Sequence, residues 1–304
     1  MIAFSTCWNS NRHTDGASVI NEIIGLGFGS IEVSHGLKVS LLPGIKDAVH
    51  EGKVDVVGVH NFCPSPVEVM IDAPDCYEFT SHRSYDRKRS LDLTLTTLEH
   101  AASLGAKYAV IHMGSAPMKK VTPQLEELQK RGLGGTRKYV RAKLGLIKKR
   151  NAIAQRYLAR ATSALEVIAE KAEQVGVVVA VESRSAFEDL PNEEEMLSLM
   201  KLFDSTPWVG YWHDFGHVQR KHNLGLLDHE QWLSRISPYL VGCHLHDVHW
   251  PARDHRVPLS GSIDYKKLMP YIGKDKHIVW ELSPSCKKSH IKKALPEWIS
   301  RFGS

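Results

Sequence analysis

The sequence has no apolar run approaching the ~20 residues that a membrane-spanning helix needs, and its N-terminus lacks the basic segment of a secretory leader. A membrane partner is therefore not expected, and the opening residues read as a first strand. Its five cysteines, Cys7, Cys63, Cys76, Cys243 and Cys286, are scattered, odd in number and form no CxxC pair. That spacing speaks against a disulfide framework or a zinc knuckle, and for free thiols in a reducing, cytoplasmic setting. No GxGxxG follows any apolar run, so a dinucleotide-binding sheet lacks its fingerprint. The charge excess is small, 39 Lys and Arg against 34 Asp and Glu, and does not by itself call for nucleic acid. Histidine, by contrast, is plentiful: 17 are present, several where apolar runs end.

Short apolar runs at 2–7, 30–35, 54–60, 107–112, 177–182, 208–213, from 239, and at 277–282 read as eight strands. Helical patterns at 15–26, 40–51, 86–104 and 289–302, and a long helix reaching about 175, lie between or after them. Residues 63–85 carry turn formers without a period and read as a long loop. Strand and helix alternating eight times predict an α/β fold, a (β/α)8 TIM barrel, formed by 1–304 as a single domain. A basic helical insertion is expected after the fourth strand, at about 117–150.

The stretch 239–256, YLVGCHLHDVHWPARDHR, starts apolar and turns into a row of metal-capable side chains. Read as one strand, it puts His244, His246 and Val248 on one face and Leu245, Asp247 and His249 on the other. The same design recurs at other strand ends, with His60, His112, Glu182, Asp214 with His217, and Glu281. In a closed parallel barrel these ends meet on one face. Three carboxylates and one imidazole, Glu182, Asp214, Glu281 and His244, then form a site for one divalent cation. Mn2+ or Zn2+ suits such a set best, with Co2+ or Mg2+ as further options. Burying three carboxylates without a cation would be costly.

The segments LGAKYAVIHMGS (104–115), VVVAVES (177–183), HDFGH (213–217), CHLHD (243–247), DHRVPLSGSIDY (254–265) and VWEL (279–282) resemble the xylose isomerase-like barrel superfamily. That group holds sugar and sugar-phosphate isomerases and epimerases together with the endonuclease IV group. By position, Glu182, Asp214, His244 and Glu281 resemble its metal tetrad, and His217 the imidazole facing the substrate or a second metal. His60, His112 and His255 match further histidines of the superfamily. Arg253 stands where the endonuclease branch has an aspartate, with Asp254 displaced by one.

The resemblance implies proton transfer next to a carbonyl through a metal-stabilised enediolate, with Glu182 and Glu281 on opposite sides of a bound sugar. The expected function is thus a metal-dependent isomerase or epimerase of a sugar or sugar phosphate, with Glu182, Glu281 and His217 catalytic. The alternative is a multi-zinc phosphodiesterase or abasic-site endonuclease, the one reading that requires nucleic acid. His60, His112, His217, His255 and Arg253 are candidates for a second metal or for substrate, and Trp250 could stack on a sugar ring. Asp247 is a candidate to orient a ligand imidazole. The basic stretch suits a lid for an anionic substrate or a solvated face. An apolar side on the barrel helices would be the route to a homo-oligomer.

Overall fold

The computed structural model describes residues 2–69 and 75–303. Parallel strands β1 (Ile2–Ser5), β2 (Ser30–Val33), β3 (Asp55–His60), β4 (Tyr108–Ile111), β5 (Val178–Glu182), β6 (Val209–Asp214) and β7 (Leu240–Leu245) run in chain order. Beyond a hairpin of β8 (Asp247–His249) and β9 (Arg253–Arg256), β10 (His277–Trp280) pairs with both β7 and β1 and closes an eight-stranded barrel. The predicted barrel is therefore present. Its strands stop one or two residues short of several expected ends, because the chain there leaves the ladder to form the site.

The helices α1 (Gly16–Ile24), α2 (Leu42–His50), α3 (Ser84–Ser103), α4 (Thr122–Lys130), α5 (Arg137–Val175), α6 (Glu193–Leu202), α7 (Phe215–Asn223), α8 (His229–Ile236), α9 (Tyr265–Leu268) and α10 (Lys288–Phe302) flank the barrel strands. No described helix is long and apolar enough to cross a membrane. The sequence reading had not marked α6, α7 or α8, yet each carries its own start signal. Asn192 and Glu195 form a reciprocal capping box on α6, and Asp214 and Asp228 cap α7 and α8. Of the stretch read as a loop at 63–85, residues 63–69 and 75–83 contain no helix or strand, and 70–74 lie outside the described residues. The basic stretch folds as α4 and the first turns of α5, which Thr136 caps and which ends at Gly176 in the left-handed conformation, φ 71°.

Inside the barrel, Ala3, Tyr108, Val110, Ala180, Trp212 and Val279 pack together, while a larger cluster fills the layer between strands and helices. The Tyr108 and Trp212 rings lie 4.4 Å apart. Two glycines make room for them. A Cβ on Gly58 would fall 2.1 Å from the Tyr108 ring, and one on Gly242 would fall 2.5 Å from Trp212 and 2.6 Å from the His277 carbonyl oxygen. Gly242→Ala meets a backbone atom as well as a ring, so the strand itself must shift. It is expected to destabilise the protein by about 1–3 kcal/mol, read as a lower midpoint in chemical denaturation. A wild-type midpoint would contradict this packing.

Candidate functional site: a carboxylate-rich cluster at the barrel mouth

Four barrel strands deliver one ligand atom each to a single point. Glu182 and Asp214 are the last residues of β5 and β6, His244 is the penultimate residue of β7, and Glu281 follows β10 directly. The four ligand atoms all lie within 4.8 Å of one another, and the residues are at most 3 % exposed. His244 Nδ1 is 2.8 Å from Glu182 Oε1, 3.4 Å from Glu281 Oε2 and 3.7 Å from Asp214 Oδ2. Metal–ligand bonds of about 2.1 Å put neighbouring ligand atoms about 3.0–3.4 Å apart, so the set has the spacing of a coordination shell.

The other nitrogen of His244 shows why this ring is held so firmly. Nε2 lies 3.1 Å from Glu32 Oε1 and 3.3 Å from Oε2. Glu32 is fully buried on β2 and also accepts from the Tyr108 hydroxyl at 3.2 Å. A carboxylate behind a ligating imidazole fixes its tautomer and raises its basicity. Sequence reasoning offered Asp247 for that task. Asp247 instead accepts from the backbone N–H groups of Val248, Gly261 and Ile263, and so ties down the loop after β9. Glu32 could have been found as an acidic residue inside the apolar run SIEV.

The stretch read as one strand divides at His246, between β7 and β8. His246 accepts from the His255 backbone N–H at Nδ1 and donates from Nε2 to Asp214, 3.0 Å away. Gly216, in the HDFGH segment, leaves space for this ring, since a Cβ there would fall 2.0 Å from it. Asp214 also accepts from the His217 backbone N–H at 2.7 Å, so helix cap and cluster residue are the same side chain.

Around the cluster, His217 donates Nδ1–H to the Ser183 carbonyl at 3.0 Å, and Nε2 has no hydrogen-bond partner among the described residues. Burial lowers this imidazole to about 4, against the pull of Asp214 and Glu182, so it is neutral at pH 7. His255, at φ 53°, sits with Nε2 3.4 Å from Glu281 and Nδ1 3.2 Å from Asp254. His60 Nε2 lies 3.4 Å and His112 Nε2 2.6 Å from Glu182 Oε2. Burial acts to raise the Glu182 carboxyl, but His112, His244 and His60 hold it well below the usual carboxylate range.

Arg184, which sequence reasoning did not single out, reaches the same place. Its Nη1 is 2.7 Å from His112 Nε2 and 3.9 Å from Glu182 Oε2, and its Nη2 is 2.6 Å from Asp75. An arginine N–H and a carboxylate thus compete for one ring nitrogen of His112. The structure brings His60, His112, His217 and His255 to the cluster. Trp250 is 57 % exposed and lines a cavity with Pro123, Glu126 and Arg253, none of which is among the four cluster residues.

Most of the basic residues after β4 are exposed, and Arg150 is the buried exception. Arg150 is buried against Glu195 and the Asp189 carbonyl, and Lys120 pairs with Asp189 at 3.0 Å. Lys119, Arg137, Lys138, Arg141 and Lys149 line a separate cavity of about 630 Å3. Arg220 joins the two regions, holding Glu126 of α4 at 2.7 Å and Asp254 beside His255 at 2.6 Å.

A closed parallel barrel with a buried carboxylate–imidazole cluster at the C-terminal ends of its strands defines the class of the protein. The chain belongs to the xylose isomerase-like TIM barrel family, whose model matches residues 21–299. A comparison with curated protein sequences finds no match. Among solved structures, the chain is similar to a D-tagatose 3-epimerase-like protein, with TM-score 0.68 and 18 % identity over 98 % of this chain and 97 % of that one. It is similar to the 3-keto-D-glucoside 4-epimerase YcjR from E. coli, with TM-score 0.66 and 16 % identity over 98 % of both chains. It is also similar to the IolI protein with a bound zinc atom, with TM-score 0.66 and 14 % identity over 98 % and 96 %. At these identities the likeness establishes the fold.

Two outcomes follow from the geometry. Glu32→Gln keeps the shape of the side chain but removes the charge behind His244, and should weaken cation binding by about 10–100-fold in a calorimetric titration. Unchanged affinity would show that Glu32 does not support the ligand. Burial acts to lower the His244 imidazolium, but Glu281 and Glu32 hold it well above the usual histidine range. Ligation at Nδ1 then displaces a proton, so cation affinity should rise with pH and proton release should accompany binding. Affinity that falls or stays level with rising pH would contradict ligation by His244.

Proposed function

We propose that the protein is a divalent-cation-dependent isomerase or epimerase acting on a sugar, by proton transfer at a carbon next to a carbonyl. The observation that carries this reading is the convergence of Glu182, Asp214, His244 and Glu281 within 4.8 Å at the barrel mouth. The donor set fits Mn2+ or Zn2+, and Co2+ or Mg2+ are compatible with it. The named relatives support the chemistry, since two are described as epimerases or epimerase-like and a third carries zinc. A cation bound there would polarise the carbonyl oxygen and acidify the neighbouring C–H.

The chain's own residues supply the rest. Glu182 and Glu281 are carboxylates held ionised by neighbouring imidazoles, and ionised carboxylates are the form that accepts a proton. Each also serves as a ligand, so one would take the proton from carbon and the other return it only while the cluster holds its geometry. His217, neutral with Nε2 unengaged, is placed to hydrogen-bond a sugar hydroxyl. A cavity of about 310 Å3 lined by Cys7, His35, His255 and Glu281 adjoins the cluster and falls within the size range of small-molecule sites.

A multi-zinc phosphodiesterase on the same barrel would place another cation beside His60 and His112. The Arg184 guanidinium already brings a positive charge to that position, 2.7 Å from His112, which favours one cation per chain. Elemental analysis of protein purified without chelator should find about one Mn, Zn or Co per chain, lost in Glu281→Ala. The loaded protein should exchange solvent deuterium into a ketose at the carbon beside the carbonyl. Two or three zinc ions per chain with cleavage of abasic DNA would replace this reading, and no metal after reconstitution would remove it.

A further inference from the structure

Two arginines around the barrel mouth are neutralised. Arg184 is held by Asp75, and Arg220 by Glu126 and Asp254. Arg256, the last residue of β9, is not. Its one side-chain hydrogen bond among the described residues goes from Nη1 to Ser285 Oγ at 3.2 Å, and its Nε is shielded from solvent with no partner. A guanidinium carries five donors, and an arginine left this free next to an active site is set up to bind an anion.

Two cavities meet at this side chain. One is the cavity of about 310 Å3 that contains Glu281 and His255. The other, of about 540 Å3, is lined by Arg256, Ser260, Ser285, Lys287, His290 and Lys293 among others. Neither Lys287 nor Lys293 forms an ion pair among the described residues. The carboxylate in this lining, Glu297, is engaged by Arg301 at 2.6 Å. The cavity also takes in the start of α10, a helix of 15 residues whose first turn has no side-chain cap and no acidic residue. Its leading N–H groups and the positive end of its dipole add to the same field. The place in the fold is the junction of the loops after the seventh and eighth barrel strands, where barrels of this architecture frequently hold phosphate.

We propose that the cavity bounded by Arg256, Lys287, Lys293 and the start of α10 is the seat for a phosphate monoester on the substrate, with the sugar carbons reaching past Arg256 to the carboxylate–imidazole cluster. This rests on the reading of the barrel mouth as a sugar site and narrows the substrate class to phosphorylated sugars. Three cations and a helix start match a dianionic phosphate better than a single carboxylate. The basic cavity beside α4 and α5 shares no lining residue with either of these two cavities and is not part of the seat.

The test is titration of inorganic phosphate into the wild-type protein and into three variants, followed calorimetrically, with acetate as the monoanionic comparison. Arg256→Gln should weaken phosphate binding by at least about tenfold. The double variant Lys287→Gln/Lys293→Gln, altered only at exposed positions, should weaken it several-fold. Glu281→Gln, which damages the cluster, should keep it. Phosphate lost in Glu281→Gln and retained in Arg256→Gln would place the anion on the cluster and overturn the inference while leaving the cation site standing. No phosphate binding by the wild type, or acetate bound equally well, would overturn it too. In deuterium exchange, a ketopentose phosphate should show a KM at least about tenfold below that of the free ketopentose, and Arg256→Gln should erase that difference. Equal KM values in the wild type count against the inference. Exchange with neither sugar counts against the proposed function, and the phosphate titration then decides the inference on its own.

Discussion

Three buried carboxylates and an imidazole packed into a space under 5 Å across are the constraint on which the rest of the barrel mouth depends. Like charges so close repel strongly in a medium of low polarity, and desolvation penalises each of them again. The surroundings show how the chain answers this. His60, His112 and His244 all approach Glu182, His246 donates to Asp214, and His255 approaches Glu281.

A second layer keeps those imidazoles in place. Glu32 stands behind His244, the Ser183 carbonyl behind His217, the His255 backbone N–H behind His246, and Asp254 behind His255. Each ring thereby has one nitrogen committed to the scaffold. Much of this support comes from backbone atoms or from strands distant in sequence, so the geometry is a property of the closed barrel and not of any one segment. Arg220 extends the same logic outward, linking Glu126 of α4 to Asp254 of β9.

The charge of the molecule is divided by role. Near the cluster, Arg184 is bound by Asp75, and Arg220 by Glu126 and Asp254. Among the described residues Arg256, Lys287 and Lys293 form no ion pair; Arg256 stands between the cavity that contains Glu281 and the neighbouring cavity that Lys287 and Lys293 line. Another group, Lys119, Arg137, Lys138, Arg141 and Lys149, borders a cavity with no cluster residue in it. A formal net charge of +5 conceals this segregation.

The barrel and the four cluster residues were legible in the sequence because both rest on local signals. Apolar runs of strand length mark the strands, and a polar residue closing such a run marks a barrel mouth once the strands are known to be parallel. Asp214 and His217, three residues apart, and Glu182 at the end of VVVAVE, needed no long-range information. What the sequence could not show was which distant group stands behind each ligand. Glu32 lies 212 positions from His244, and Arg184 meets Asp75 across 109. Asp247 looked like a partner for a neighbouring imidazole because it adjoins His246, and the break between β7 and β8 turned it to the backbone of 248–263 instead. Periodicity along a strand fixes a face only while the strand continues. Where the chain leaves the ladder, side-chain direction is set by closure of the barrel and by packing against other strands, and those are decided in three dimensions alone.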